Sequence, residues 1–198
     1  MNRETHPLPL FLPEYATLLM LGSFPPPRHR WKMDFYYPNL QNDMWRIFGL
    51  VFFQDADYFV DKPAKTFREA AIRDFLQGRG IAVGDTVREA VRLQDNAADK
   101  FLQVLQPLDL ADTLARLPEC RYLMVTGDKA AEVLLPQLRP DTPKPKVGMF
   151  SETECAGRAL RLYRMPSSSR AYPLALAEKA AAYRQMFAET GLLSFQAA

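Results

Sequence analysis

Apolar positions along the chain fall into two patterns. Three short, unbroken apolar runs stand at Leu18–Leu21, Ile81–Val83 and Tyr122–Val125, and a fourth stretch, Leu160–Met165, is broken by Arg161 and Arg164; each is followed closely by Gly, Ser or Pro. Runs of that length with such ends read as buried parallel strands. Between them apolar residues recur every three or four positions, the helical period. A helix is expected from Asn39 or a neighbour, with Trp45 and Phe48 on one face. Thr66–Gln77 reads as another, ended by Gly78 and Gly80, and Val87–Leu93 as a short third. Leu110–Leu117 (closed by Pro118), Lys129–Leu138 and Leu174–Phe187 complete the set. Alternation of strand and helix predicts an α/β fold. Its expected form is a three-layer α/β/α sandwich around a central, mainly parallel sheet of four or five strands.

No internal repeat and no low-complexity linker interrupts the pattern, so one domain is expected over residues 1–198. Its first part, residues 1–16, alternates prolines with apolar residues between His6 and Pro13. That segment is expected to run extended and pack on an edge of the core.

Charge changes the picture locally. The net charge is +2, from 25 basic and 23 acidic side chains, which is not the balance of a protein that coats nucleic acid. Any DNA contact must come from clustering, and Arg28, His29, Arg30 and Lys32 form such a cluster. The two cysteines, Cys120 and Cys155, make no disulfide framework, so a reduced, cytoplasmic protein is expected. With only His6 and His29 beside them, a zinc site is not expected. The first residues lack the apolar core of a signal peptide, and no apolar run reaches membrane-spanning length. A monomer without membrane contact is expected.

Ligands of open parallel sheets lie beyond the carboxyl ends of the strands. Four such ends are legible: Gly22-Ser23-Phe24-Pro25, Gly84-Asp85-Thr86, Thr126-Gly127-Asp128 and Met165-Pro166-Ser167-Ser168-Ser169. Taken singly, each is an ordinary turn or helix cap. The first differs, because it continues into cations, rings and amides: Arg28 to Lys32, Tyr36-Tyr37, then Asn42-Asp43-Met44-Trp45. That combination suits a base carried on a phosphate backbone. The polar connection Asp95–Lys100 is expected to dip toward the site, with Asn96 a further residue within reach of a base edge. No Gly-x-Gly-x-x-Gly or phosphate-loop sequence supports a nucleotide-binding alternative.

These same residues carry a resemblance. Gly22-Ser23-Phe24-Pro25, Tyr36-Tyr37, Asn42-x-x-Trp45 and Met165-Pro166-Ser167-Ser168-Ser169 resemble the motifs of the uracil-DNA glycosylase superfamily. The first motif is most similar to that of the hypoxanthine-DNA glycosylase-like branch, the second to that of thymine-DNA glycosylases. The resemblance runs from about Leu18 to Phe187. It departs from the family at three places. Phe24 stands where mismatch-specific branches carry a catalytic Asn. Met165 stands where the uracil-specific enzymes carry His. Pro26 replaces a usual Gly and stiffens the loop.

The resemblance implies a monofunctional DNA glycosylase that hydrolyses the N-glycosidic bond of a deaminated or mismatched base, uracil or hypoxanthine, in base excision repair. The alternative is a DNA-binding module of the same fold that has lost the chemistry. The partner is DNA containing such a base, and no metal or organic cofactor is implied. The catalytic residue of the branch corresponds to Asn42, whose oxygen would hold water near the sugar while its amide meets the base. Asn39 precedes the expected helix and reads as its cap, leaving Asn42 one turn inside; Asn39 is also within the base-binding set. The resemblance sets Ser23, Phe24, Tyr37 and Gly127 against the base, with Tyr37 stacking on it and Tyr36 in the core. Arg28, Arg30 and Lys32 are expected on phosphates, as are Ser167, Ser168 and Ser169, which are read as leading into a helix. Arg170 is expected either to wedge into the base stack or to bind phosphate. Asp85 is expected either to orient a water or, the reading preferred, to cap a turn.

Overall fold

The structure, a computed structural model, describes residues 3–93 and 99–194, apart from the Lys100 side chain. In chain order the elements are β1 (Arg3–Thr5), β2 (Leu18–Gly22), α1 (Met44–Phe53), β3 (Val60–Asp61), β4 (Thr66–Phe67), α2 (Glu69–Arg79), β5 (Ile81–Asp85), β6 (Val87–Arg92), β7 (Leu102–Pro107), α3 (Leu110–Ala115), β8 (Tyr122–Thr126), α4 (Asp128–Leu134), β9 (Met149–Cys155), β10 (Arg158–Met165) and α5 (Leu176–Glu189). The central sheet has five strands in the order β5-β2-β8-β10-β9. β5, β2, β8 and β10 run parallel, and β9 adds an antiparallel edge. β2 and β5 are buried along their whole length, which is why they read as continuous apolar runs.

Because successive strand residues point to opposite faces, β2 feeds two cores at once. Leu18 and Met20 join Trp45, Phe48, Ile72, Tyr183 and Phe187 beneath α1, α2 and α5. Leu19 and Leu21 join Leu110, Leu114, Ala131 and Leu134 beneath α3 and α4. Helices therefore cover both faces, and the α/β/α layering with a mainly parallel sheet stands as the pattern predicts.

The differences lie outside the four parallel strands. Residues 87–92, expected as a helix, are strand β6 in a second sheet of order β1-β6-β7. Val87 and Ala90, three apart, are its fully buried residues, a spacing that mimics a helical face. Register shifts around Glu89 turn both toward the core, as β-bulges do. β7, β9 and the short β3–β4 pair were not legible as strands. The Thr66–Gln77 helix starts later, at Glu69, and ends on Gly80 at φ +69°. α1 begins at Met44 and not near Asn39, so Asn42 precedes the helix and does not lie inside it. The N-terminal segment runs along the sheet edge, where Phe11 and Val83 exchange backbone hydrogen bonds beside β5.

Gly49, inside α1, lies against the backbone carbonyl of Asp55, and a Cβ there would overlap that oxygen. Backbone cannot move aside as a side chain can. Gly49→Ala should therefore lower stability by about 1–3 kcal/mol through overpacking, despite gaining about 1 kcal/mol of helix propensity. The urea midpoint measures the balance; a stabilised variant would show that α1 is free to shift.

Candidate functional site

The four strand ends open onto one cavity of about 450 Å³. Gly22 to Pro26 come from the end of β2, Asp85 from β5, Thr126 from β8, and Ser167 to Ala171 from the segment after β10. Tyr36, Tyr37, Pro38, Asn39, Gln41 and Asn42 close it from the segment before α1, and Arg30 reaches it from the basic loop. Of the base-binding and catalytic candidates, Ser23, Phe24, Tyr37, Asn39 and Asn42 line this cavity. Gly127 does not. At φ +84° it turns the chain from β8 into α4, close behind Ser167.

The floor is built around Asp85. It caps no turn. His6 Nε2 donates to Asp85 Oδ2 at 2.8 Å, while the Leu8 N–H donates to His6 Nδ1 at 3.1 Å. His6 in turn packs edge-on against Phe24, with ring centroids 5.4 Å apart. A Cβ on Gly22 would overlap the Asp85 carboxylate and approach the Tyr37 hydroxyl to 3.1 Å. Only glycine lets these two groups come this close to the strand end.

Tyr36 and Tyr37 both line the cavity, but Tyr36 is the more deeply buried. Tyr36 is buried, and its hydroxyl donates to the Pro9 carbonyl at 3.0 Å. Tyr37 holds φ +52°, a region that few non-glycine residues occupy. The residue as a whole is partly buried, while its hydroxyl is buried. Burial, reinforced by the negative charge of Asp85, pushes the phenol well above its usual range, so it is a donor, not a base.

Asn39 and Asn42 both turn back on the chain. Asn39 Oδ1 accepts from the Gln41 N–H at 2.9 Å, and Asn42 Oδ1 accepts from the Met44 N–H at 2.9 Å. Such local bonds are what Asn side chains offer ahead of a helix. The side-chain oxygen expected to hold water is thus engaged with the backbone.

Next to Asn42, Asp43 joins the two ends of the chain. Its Oδ2 receives Lys179 Nζ from α5 at 3.2 Å, and its Oδ1 receives Arg170 Nε at 3.0 Å. Lys179 also donates to the Ser169 carbonyl at 2.8 Å. The Asp43 N–H donates to the Ser168 carbonyl at 2.8 Å, and Asn42 and Ser169 form a β-bridge. Asp43 and Lys179 are both buried, Lys179 with 1% and Asp43 with 9% of its side chain exposed.

The serines do not lead into a helix: α5 begins only at Leu176. Ser167 Oγ accepts from the Ser169 N–H and Ser169 Oγ from the Ala171 N–H, each at 3.2 Å. Their hydroxyls serve turns, so the helix-end anion site expected there is absent. Ser168 is buried. The basic loop divides as well. Arg30 lines the cavity, whereas Arg28 and Lys32 line a neighbouring surface depression with Trp31, Lys65 and Thr66. Arg28 is 4.3 Å over the Trp31 ring and pairs with Asp34 at 2.5 Å.

Asp99 was missed by the sequence reading, although the connection that carries it was expected near the site. It lines the cavity and accepts from Ser23 Oγ at 2.7 Å. Asn96 of the same connection lies outside the described residues. Cys120 and Cys155 are both free and buried, and burial pushes the Cys120 thiol up to about 11. Among the described residues no helix is long and apolar enough to cross a membrane.

These features define a mixed α/β fold whose central, mostly parallel sheet ends in a polar, ring-lined cavity. The same fold is found in a candidate uracil DNA glycosylase from Methanosarcina acetivorans, solved by solution NMR. The two chains are 21% identical with a TM-score of 0.62, over 92% of this chain and 96% of the other. No family model and no curated protein matches the chain.

Asp43→Ala leaves Lys179 buried without its counter-ion. Breaking such a pair from one side costs about 3–5 kcal/mol, so a denaturant midpoint well below that of the parent is expected. A midpoint within experimental error would mean that α5 moves and hydrates Lys179.

Proposed function

We propose that the protein is a monofunctional DNA glycosylase that hydrolyses the N-glycosidic bond of a deaminated or mismatched base. The observation that carries this reading is the meeting of Asn42, Tyr37 and Ser23 in one cavity at the strand ends. The shared fold of a candidate uracil DNA glycosylase and the motif resemblance to the hypoxanthine branch support it. A base inside a duplex cannot be reached in place and must be extruded into such a cavity. Tyr37 offers a face for stacking, worth about 1–3 kcal/mol per base. Departure of the base puts negative charge on it. Asn42, with its oxygen on Met44, has its amide N–H left to meet that charge. Arg30 and Arg170 at the cavity, with Arg28 and Lys32 beside it, supply phosphate contacts.

A second reading, a DNA-binding module without catalysis, is favoured by Phe24 in the first motif and by Met165, which is buried outside the cavity wall. Labelled duplexes carrying uracil, hypoxanthine or a mismatched thymine, incubated and then treated with alkali, separate the two. Strand breaks on at least one duplex are expected; binding without breaks would establish the second reading.

Asn42→Ala should lower excision by about a hundredfold or more, the scale of one positioned group, with DNA affinity nearly intact. Asn42→Asp keeps the bond to the Met44 N–H but loses the donor, so it should be as slow as Ala. Full activity in both would make Asn42 a structural residue.

DNA affinity should fall with salt at a slope no steeper than about −4 in log–log form, as four phosphate contacts give. Replacing Arg28, Arg30, Lys32 and Arg170 together by Ala should flatten it. An unchanged slope would place the DNA elsewhere.

A further inference from the structure

Among the described residues two carboxylates, Asp85 and Asp99, line the cavity, and they differ in what they have left to offer. Asp85 is 5% exposed. One of its oxygens is held by His6, and the other is the one packed against Gly22. Asp99, on a short 3-10 turn over residues 99–101, is partly exposed. Its Oδ1 accepts from Ser23 Oγ, and among the described residues this is its one hydrogen bond. Among the described residues Oδ2 has no hydrogen-bond partner. Ser23 belongs to the turn whose next residue is Phe24, a ring that can take no proton. Asn42 cannot fill that role, since an amide is hardly basic and its oxygen already serves Met44. Hydrolysis in this cavity needs a group that orients water and takes its proton.

We infer that Asp99 is the catalytic residue that holds and deprotonates the attacking water, with Ser23 as its positioning residue. The inference rests on the glycosylase reading above. In the step, the water oxygen bonds to C1′ while the C1′–N bond breaks, and the bonding pair leaves with the base as an anion. The proton released from water passes to the Asp99 carboxylate and is then returned to the departed base. The products are a C1′ hydroxyl on an abasic sugar and the free base, so one water is consumed and nothing is oxidised or reduced.

Asp99's surroundings set the pH at which it can act. Burial raises its carboxyl above the usual range, and the Ser23 hydrogen bond pulls it back. The charge of Asp85 pushes upward, while Lys129 and Arg92 pull downward. A base works only when ionised, so activity is present above the Asp99 pKa and is lost as pH falls through it. Removing the Ser23 hydroxyl removes a bond that favours the ionised form. The acid limb of the rate profile must then move to higher pH.

Single-turnover excision is measured across the acid and neutral range for the parent protein, Asp99→Asn and Ser23→Ala, on whichever duplex of the panel the parent cleaves, beside DNA affinity and thermal melting. Asp99→Asn should lower excision by about a hundredfold or more and erase the acid limb, with DNA affinity kept. Ser23→Ala should shift the acid limb to higher pH, whatever its effect on the plateau rate. Asp99→Asn that keeps the parental rate and limb overturns the inference and leaves the glycosylase reading standing. If Asp99→Asn does not fold, a Ser23→Ala limb that stays in place overturns it equally. A parent protein inactive on every duplex removes the glycosylase reading, and this inference with it.

Discussion

The cavity depends on a charge pair taken out of water. Asp43 and Lys179 are 136 residues apart in sequence and meet in the interior. Their mutual attraction has to offset the loss of hydration of both ions. Further bonds complete the shell: Arg170 on Asp43, the Ser169 carbonyl on Lys179, and the backbone bond from Asp43 to Ser168. Every member comes from a segment that lines the cavity or braces it. A hydrophobic residue in place of either ion would fill the space but would hold no direction. The pair fixes Asn42 against the serine segment, and so fixes the separation between the two halves of the wall.

The four parallel strands and the helices packed on them were legible because each has a core on both faces or a single apolar stripe. Leu18–Leu21 and Tyr122–Val125 have nothing polar to confuse the pattern. β6 was not legible, because a bulge places Val87 and Ala90 on one side and imitates a helix. β9 was missed for another reason. It is an edge strand with Ser151 and Thr153 among its inward residues, so its inner face is polar and its alternation carries no hydrophobic signal.

The site was legible in its turns and less so in its charges. Gly22 to Phe24, Tyr37 and Asn42 stand in conspicuous local patterns. His6 and Asp85 pair over 79 residues of sequence, and Asp99 meets Ser23 over 76; no local spacing reports such meetings. One signal was readable. Lys179 lies in the apolar stripe of the last helix with Leu176, Ala180 and Tyr183. A lysine there needs an acidic partner inside the fold, and Asp43, adjacent to the candidate Asn42, was available. Gly127 and the serines were misplaced because a strand-end turn does not tell which of its residues faces the ligand. Ser and Gly serve chain geometry as readily as binding.

His6 gives the site an order of assembly. It follows β1, which pairs with β6, and its ring closes the floor from behind. During synthesis this segment emerges before its partners, which follow only after the first parallel strand and two helices. The opening residues must wait unpaired, and their docking closes a long loop, a slow kind of contact to form. The floor therefore sets only once β5 and β6 have been made. A chain caught before that point has a folded first strand and a preformed turn, but its two carboxylates are not yet sorted into a held one and a free one.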